Sequence, residues 1–215
     1  MTLRTALFAF TACLAVSAGL PAMAGTSVYT SAATDKGCVT SGTPTPEDQD
    51  MGNVSLKCAG YKDYPFYFNA YDNRESTYFG HLSKAILDGA GETFETFNYI
   101  GDKIEWRLDG HGVPRATIIR YMIQNLNPDT SEPDKAHEGQ VLVISRVGQT
   151  DDMTGCITAY VDALENKNAN DIARKLADEQ APGFPCGKQE PKFHGKSGKL
   201  AGYPVYNYPD LSATK

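Results

Sequence analysis

The chain of 215 residues carries 20 lysine and arginine residues against 26 aspartate and glutamate residues, which gives a net charge of −6 at pH 7. This mildly acidic balance argues against nucleic acid or anionic lipid as the main partner. The length is enough for one domain with a substantial hydrophobic core.

The first 24 residues have the three parts of a secretory signal peptide. Arg4 precedes an apolar run over residues 6–18, and Ala22-Met23-Ala24 supplies small residues at a cleavage position. The run is too short to span a bilayer, and no longer one follows it. We therefore expect cleavage near Ala24 and a periplasmic protein that begins near Gly25. Residues 1–24 contain one basic and no acidic residue, so the charge changes from −6 to −7.

The mature chain keeps four cysteines, and an even number in an exported protein predicts two disulfides. Three pairings are open. We favour Cys38–Cys58 with Cys156–Cys186, because each closes a short segment between predicted elements. A nucleophilic or metal-binding role for Cys156 is the alternative, which no CxxC or Cys-His spacing supports.

In chain order, residues 27–30 predict a first strand, and the turn-rich residues 43–48 predict an exposed loop. A short helix is predicted between Leu82 and Leu87. Segments rich in Val, Ile, Thr, Tyr and Phe predict further strands, separated by turns short enough for antiparallel pairing: 53–58, 65–71, 76–80, 96–100, 103–108, 115–124, 141–147 and 157–163.

Residues 103–109 alternate most clearly between apolar and charged side chains. Ile104, Trp106 and Leu108 share one face, and we expect the charged face to be in solvent. By contrast, residues 140–145 are apolar on both faces, which predicts a central strand that is covered on both sides.

An amphipathic helix of about three turns is predicted to follow Asn168. Residues 188–215 are rich in Lys, Gly, Tyr and Pro and predict a disordered tail, with a basic and aromatic docking segment as the alternative. The helix ends at Pro182-Gly183, and its apolar stripe comprises Ile172, Ala173, Leu176 and Ala177.

Together these elements predict an α+β fold in a single domain over residues 25–187. It consists of a mostly antiparallel, curled β-sheet with one C-terminal amphipathic helix and two disulfides.

Five residues are candidates for binding a protein or glycan partner. Tyr67 and Tyr71 share one face of their strand, and a tyrosine ring offers flat apolar area with a polar tip. Cross-strand aromatic packing is the alternative. Arg107 and Arg115 are predicted on the exposed face of a hairpin, with His111 at its tip.

The sequence predicts no catalytic residue, no cofactor and no metal. It has no GxSxG motif, and its four histidines lack the spacing of a metal pair. Residues 127–131 and Glu138 are spaced as in a calcium loop, but Glu132 stands where such a loop needs glycine. A polar hairpin loop between Asn125 and Gly139 is therefore favoured.

Several segments together carry a resemblance: the signal peptide, Ser27-Val28-Tyr29-Thr30, Lys57-Cys58-Ala59-Gly60-Tyr61, Lys103-Ile104-Glu105-Trp106-Arg107-Leu108, Tyr160-Val161-Asp162-Ala163, and Ala181-Pro182-Gly183-Phe184 before Cys186. With them the chain resembles a group of small uncharacterised secreted proteins of Gram-negative bacteria. The resemblance covers most of the mature domain. It implies a periplasmic location and supplies no activity.

We expect a periplasmic binding or interaction protein rather than an enzyme. One form is an inhibitor of a basic secreted hydrolase such as lysozyme, which the acidic charge motivates. The alternative is a cell-envelope hydrolase whose site is assembled from residues distant in sequence, with His111 beside a carboxylate or serine in a deep pocket. A structural envelope protein is the third hypothesis.

Overall fold

The computed structural model describes residues 25–211; the predicted signal peptide and residues 212–215 lie outside this range. The three α-helices are α1 (Pro46–Asp50), α2 (Lys84–Gly89) and α3 (Ala169–Glu179), and single 3₁₀ turns occupy Ala181–Gly183 and Lys199–Ala201. The strands are β1 (Thr26–Ser31), β2 (Cys38–Thr40), β3 (Val54–Tyr61), β4 (Tyr64–Tyr71), β5 (Arg74–Phe79), β6 (Thr93–Phe94), β7 (Asn98–Leu108), β8 (Pro114–Leu126), β9 (Pro133–Arg146), β10 (Ile157–Asp162), β11 (Lys192–Phe193) and β12 (Pro204–Val205).

The strands form two main sheets and one short ribbon. The large sheet has the order β1-β7-β8-β9-β10-β11, the small sheet has the order β2-β3-β4-β5, and β12 pairs with β6. All pairings are antiparallel except the one between β10 and β11. The predicted α+β class with mostly antiparallel strands and one C-terminal amphipathic helix is confirmed.

The two sheets and α3 form three layers. The main core lies between the sheets, where Phe79 of the small sheet meets Trp106 of the large sheet edge to face, 5.6 Å between ring centroids. β9 is the central strand that the sequence predicts: Val143 enters this core, and Leu142 and Ile144 pack under α3.

Helix α3 packs through the predicted stripe. Ala173, Leu176 and Ala177 are buried, and Ile172 is partly buried against the same cluster. The side chain of Asn168, the residue before the helix, makes no capping hydrogen bond. Packing on the sheet therefore stabilises this helix more than its N-terminal signal does.

The position of α3 overturns one prediction about strand β7. Ile104, Trp106 and Leu108 are in the core as expected, but Glu105 and Arg107 on the supposed solvent face are also buried. Arg107 pairs with Asp178 of α3, 2.6 Å between Nη2 and Oδ2. The alternation of β7 correctly defined two faces, and the helix covers the charged one.

The segment after Cys186 is also not a disordered tail where the structure describes it. β11 extends the large sheet, β12 pairs with β6, and Ala201 is fully buried in the main core. Tyr208 packs on the side of the small sheet that faces away from the large sheet. This segment has few aliphatic residues of its own, and it is ordered because it fills gaps in a core built by other elements.

Both predicted disulfides are present. Cys38–Cys58 joins β2 to β3, and Cys156–Cys186 ties the start of β10 to the segment after α3. Within residues 25–211, no helix has the length and apolar character needed to cross a membrane.

We expect the Cys156→Ser/Cys186→Ser double variant to lose about 3.5 kcal/mol of unfolding free energy, because the unfolded chain gains the freedom of a loop of 30 residues. Urea denaturation under oxidising conditions measures this loss. The same denaturation of both proteins after reduction is the control, in which the two curves should coincide. Equal stability of the oxidised proteins would contradict the expectation.

Candidate functional site

The face of the small sheet that points away from the large sheet carries polar and aromatic side chains. Phe66 and Phe68 of β4 point into the core, so the alternation of the strand places Tyr67, Asn69 and Tyr71 on the opposite, outer face. Cross-strand pairing arranges this outer face in two rows, Lys57–Tyr67–Tyr78 and Ser55–Asn69–Ser76.

A groove of about 560 Å³ runs along the second row, a size typical of small-molecule sites. One side is lined by Leu87 and Asp88 of α2 and by Ala90 and Gly91, which follow the helix. The opposite side is lined by residues 41–44, and Tyr71 and Arg74 lie at one end. We call this feature the outer groove.

Local sequence explains how each side of the outer groove is held. Ile86 of α2 packs with Tyr67 and Tyr78, which fixes the helix on the sheet. On the other side, Thr45 and Asp48 form a reciprocal capping box at the start of α1, with 3.1 Å from the Asp48 nitrogen to the Thr45 hydroxyl.

The end of the outer groove is set by a tight turn between β4 and β5. Asp72 and Asn73 both have positive φ, 49° and 56°, as a two-residue hairpin turn of the type I′ class requires. This turn places Tyr71 directly opposite Arg74. The ring of Tyr71 is 57% exposed, so it is accessible to a ligand.

The row beneath the outer groove offers unpaired hydrogen-bonding groups. In the part of the chain that the structure describes, the side chains of Ser55, Asn69 and Ser76 bond to no other residue. The amide of Asn69 alone provides two donors and an acceptor. The hydroxyl of Tyr67 is unpaired as well, and burial raises its pKa, so it stays a donor.

Most charged groups around the outer groove are paired within the protein, but Asp48, which also lines it, accepts only from Thr45 and Asn53 and has no basic partner among the described residues. Arg74 pairs with Asp72 and donates to the carbonyl of Glu95 at 2.9 Å. On the other side, Lys84 and Asp88 form an i,i+4 pair along α2. The lining of the groove therefore has one carboxylate without a basic partner and no spare cation, which disfavours an anionic ligand.

Comparison of this chain with protein-family models, with curated proteins and with solved structures found no match. The resemblance to secreted Gram-negative proteins stays a prediction. The candidate site is therefore defined by the geometry of the outer groove.

The structure places one of the five candidate binding residues in this groove and a second beside it. Tyr71 lines it, and Tyr67 lines the continuation of the same face toward Lys84. Arg107 is 6% exposed beneath α3, where it holds the fold together and is closed to a partner. The prediction that it is a surface residue was wrong.

His111 and Arg115 belong to a different region, the hairpin between β7 and β8. Asp109 accepts from the backbone N–H groups of His111 and Val113, and from Arg115 Nε at 2.8 Å. The hairpin tip is thus rigid and exposed. His111 lines neither the outer groove nor its continuation, so the geometry of the described residues gives the hydrolase hypothesis no support.

The residues that are spaced as in a calcium loop bond to other protein groups instead. Glu138 is part of β9, where it accepts from the Tyr99 hydroxyl at 2.8 Å and from Lys135. Asn127 donates to Asp134 across the short hairpin loop. Among residues 25–211, no three His, Cys, Asp or Glu side chains cluster as metal ligands would.

Sequence reasoning missed the polar half of the outer groove. Asn69 stands between the two named tyrosines, and period-two alternation alone assigns it to the same face. Ser55 and Ser76 carry no such signal, because their place beside Asn69 depends on the pairing of β3 and β5 with β4.

Proposed function

We propose that this protein is an exported binding protein of the periplasm whose outer groove binds an uncharged glycan chain. The signal peptide read from the sequence and the two disulfides support the compartment. The observation that carries the ligand class is the row of unpaired polar groups at Ser55, Asn69 and Ser76 beside the exposed ring of Tyr71.

A sugar chain matches both halves of this surface. The C–H face of a pyranose ring packs on a flat aromatic ring, and its hydroxyls bond to amide and hydroxyl side chains. An anionic ligand would instead have to compete with Asp72 and Asp88 for their basic partners and would face the carboxylate of Asp48. The open groove also accommodates a chain of several units better than a single enclosed sugar.

Titration calorimetry with a soluble hexamer of N-acetylglucosamine tests the proposal. We expect binding, and we expect Tyr71→Ala to weaken it about tenfold because the stacking surface is lost. Asn69→Ala should weaken binding less and leave stability unchanged. Tyr203→Ala is the matched control, since Tyr203 is 74% exposed and lies outside the groove. Binding that both tyrosine variants retain equally would contradict the proposed site.

A separate observation supports the inhibitor hypothesis, namely the exposed hairpin tip at His111, whose backbone N–H is held by Asp109. To test it, lysozyme replaces the glycan as the probe, and the inhibition of its activity by this protein is measured. Inhibition that is lost with His111→Ala and with added salt, and kept with Tyr71→Ala, would favour that hypothesis over the glycan. No glycan binding by the wild-type protein would overturn our proposal.

A further inference from the structure

Gly25, the residue that the predicted cleavage places first in the mature chain, is held at both of its backbone polar groups. Its N–H donates to Asp178 Oδ2 of α3 at 3.0 Å. Its carbonyl accepts from Arg107 Nη2 of β7. Side chains from two other elements thus receive a single residue at the start of β1.

The receiving carboxylate is firmly positioned. Arg107 Nε and Nη2 donate to the two oxygens of Asp178 at 2.8 and 2.6 Å, a bidentate pair. The side chains of Arg107 and Asp178 are only 7% and 17% exposed. Asp178 therefore cannot turn away to solvent without breaking a buried ion pair.

The position also admits no side chain at residue 25. A Cβ on Gly25 would lie 2.6 Å from Asp178 Oδ1 and 3.0 Å from the carbonyl of Leu108. Because the guanidinium of Arg107 holds Asp178, that contact is not relieved cheaply. Glycine lets the backbone nitrogen come within hydrogen-bond distance of the carboxylate.

The end of α3 beside Gly25 favours a cation. The ion pairs of this region join two carboxylates, Glu105 and Asp178, to two guanidinium groups, Arg107 and Arg174, and so balance one another. The last turn of α3, which contains Asp178, carries no basic residue, although the helix dipole is negative there. A positive charge at Gly25 would offset the negative potential of this helix end, where Asp178 and Glu179 lie.

We propose that the carboxylate of Asp178, which Arg107 holds in place, binds the α-ammonium group that signal-peptide removal creates at Gly25. The proposal rests on the predicted cleavage between Ala24 and Gly25. A signal peptidase adds water across that peptide bond: the hydroxyl goes to the Ala24 carbonyl carbon, which becomes a carboxylate. The Gly25 nitrogen leaves as an amine and takes up protons.

The new group differs from the peptide it replaces in charge and in donors. A peptide nitrogen offers Asp178 one neutral N–H, whereas an ammonium offers three donors and a full positive charge. Gly25 directly precedes β1, the edge strand of the large sheet, in which Thr26 pairs with Leu108 of β7. Cleavage would therefore strengthen the seating of β1, so that the processed protein is more stable than its precursor.

The experiment compares two oxidised proteins, one beginning at Gly25 and one with Ala24 retained in front of it. We expect the shorter protein to melt about 4–8 °C higher, the effect of one charge-assisted hydrogen bond in a domain of this size. Acetylation of the Gly25 amine should abolish the advantage without changing the sequence.

Variants on α3 locate the effect. The difference in melting temperature between the two lengths should vanish in Asp178→Asn and persist in Asp171→Asn, a matched change at an exposed position of the same helix. Equal melting of the two lengths, or a difference that survives Asp178→Asn, would overturn the site. Mass spectrometry of the exported protein tests the cleavage separately, and an N-terminus other than Gly25 would overturn the proposal at its premise.

Discussion

Replacing Glu92 with glutamine should stabilise this protein by about 4–5 kcal/mol at pH 8 and remove a downward slope in its stability between pH 4.5 and 8. Glu92 is fully buried, and burial raises the pKa of its carboxyl to about 8. One oxygen accepts from the Ile157 N–H at 3.0 Å, and the other has no partner among the described residues.

No basic side chain among the described residues offsets this burial. The titratable side chains near Glu92 on the packed elements are phenols, whose pKa the Glu92 carboxylate raises: Tyr78 of β5, Tyr121 of β8, Tyr160 of β10, and Tyr206 and Tyr208 of the C-terminal segment. The Tyr78 hydroxyl accepts from the backbone N–H of Glu92 and leaves its carboxyl untouched. Desolvation therefore determines the direction of the shift.

The sign of the effect follows from proton binding. Between the pKa of the unfolded chain, about 4.5, and the folded value of about 8, the unfolded state has lost the proton that the folded state keeps. The unfolded state binds fewer protons, so the free energy of unfolding falls by at most about 1.4 kcal/mol per pH unit. It becomes flat again above pH 8.

Urea denaturation at intervals from pH 4 to 9 measures this slope. Glutamine keeps the acceptor for the Ile157 N–H and carries no charge. The difference in unfolding free energy between wild type and Glu92→Gln therefore reports the ionisation of the Glu92 carboxyl alone. Other carboxyls, such as Glu105 with its lowered pKa, act equally in both proteins. Glu95→Gln, an exposed change three residues away, is the control and should follow wild type. Parallel curves for wild type and Glu92→Gln would refute a protonated Glu92.

The second large effect separates the two arginines that the sequence placed on one binding surface. Arg107→Met should cost about 3–5 kcal/mol of unfolding free energy, because it leaves the carboxylates of Asp178 and Glu105 without their buried partner. Arg115→Met should cost less than about 1 kcal/mol, since its pair with Asp109 is open to solvent.

Chemical denaturation of the two variants side by side gives the measurement, and each is the other's control for loss of one arginine. Lysozyme inhibition and glycan titration on the same samples add a readout of function. If Arg107→Met were as stable as Arg115→Met and yet lost binding, the buried pair would not be structural and the surface role of Arg107 would return.

Period-two alternation correctly predicted which face of a strand packs into the core between the two sheets. It assigned Ile104, Trp106 and Leu108 to the core, and it separated Phe66 and Phe68 from Tyr67. Cysteine spacing was equally informative, because two short loops are easier to close than the alternatives, and both bonds formed as predicted.

Only the tertiary structure decided which element covers the second face of a strand. Glu105 and Arg107 are buried by a helix more than 60 positions later in the chain, and no local pattern in β7 signals that contact. The same holds for the segment after Cys186, whose few apolar groups, such as Phe193 and Ala201, complete a core that distant strands build.

The sequence by itself therefore determined most of the longer strands, the main helix, the disulfides and the face that Tyr67 and Tyr71 share, because these depend on neighbours along the chain or on short loop closure. The tertiary structure decided the groove's sides, the burial of Glu92 and the partners of Gly25. These features depend on which distant segments pack together, and packing responds to shape and charge across the whole fold.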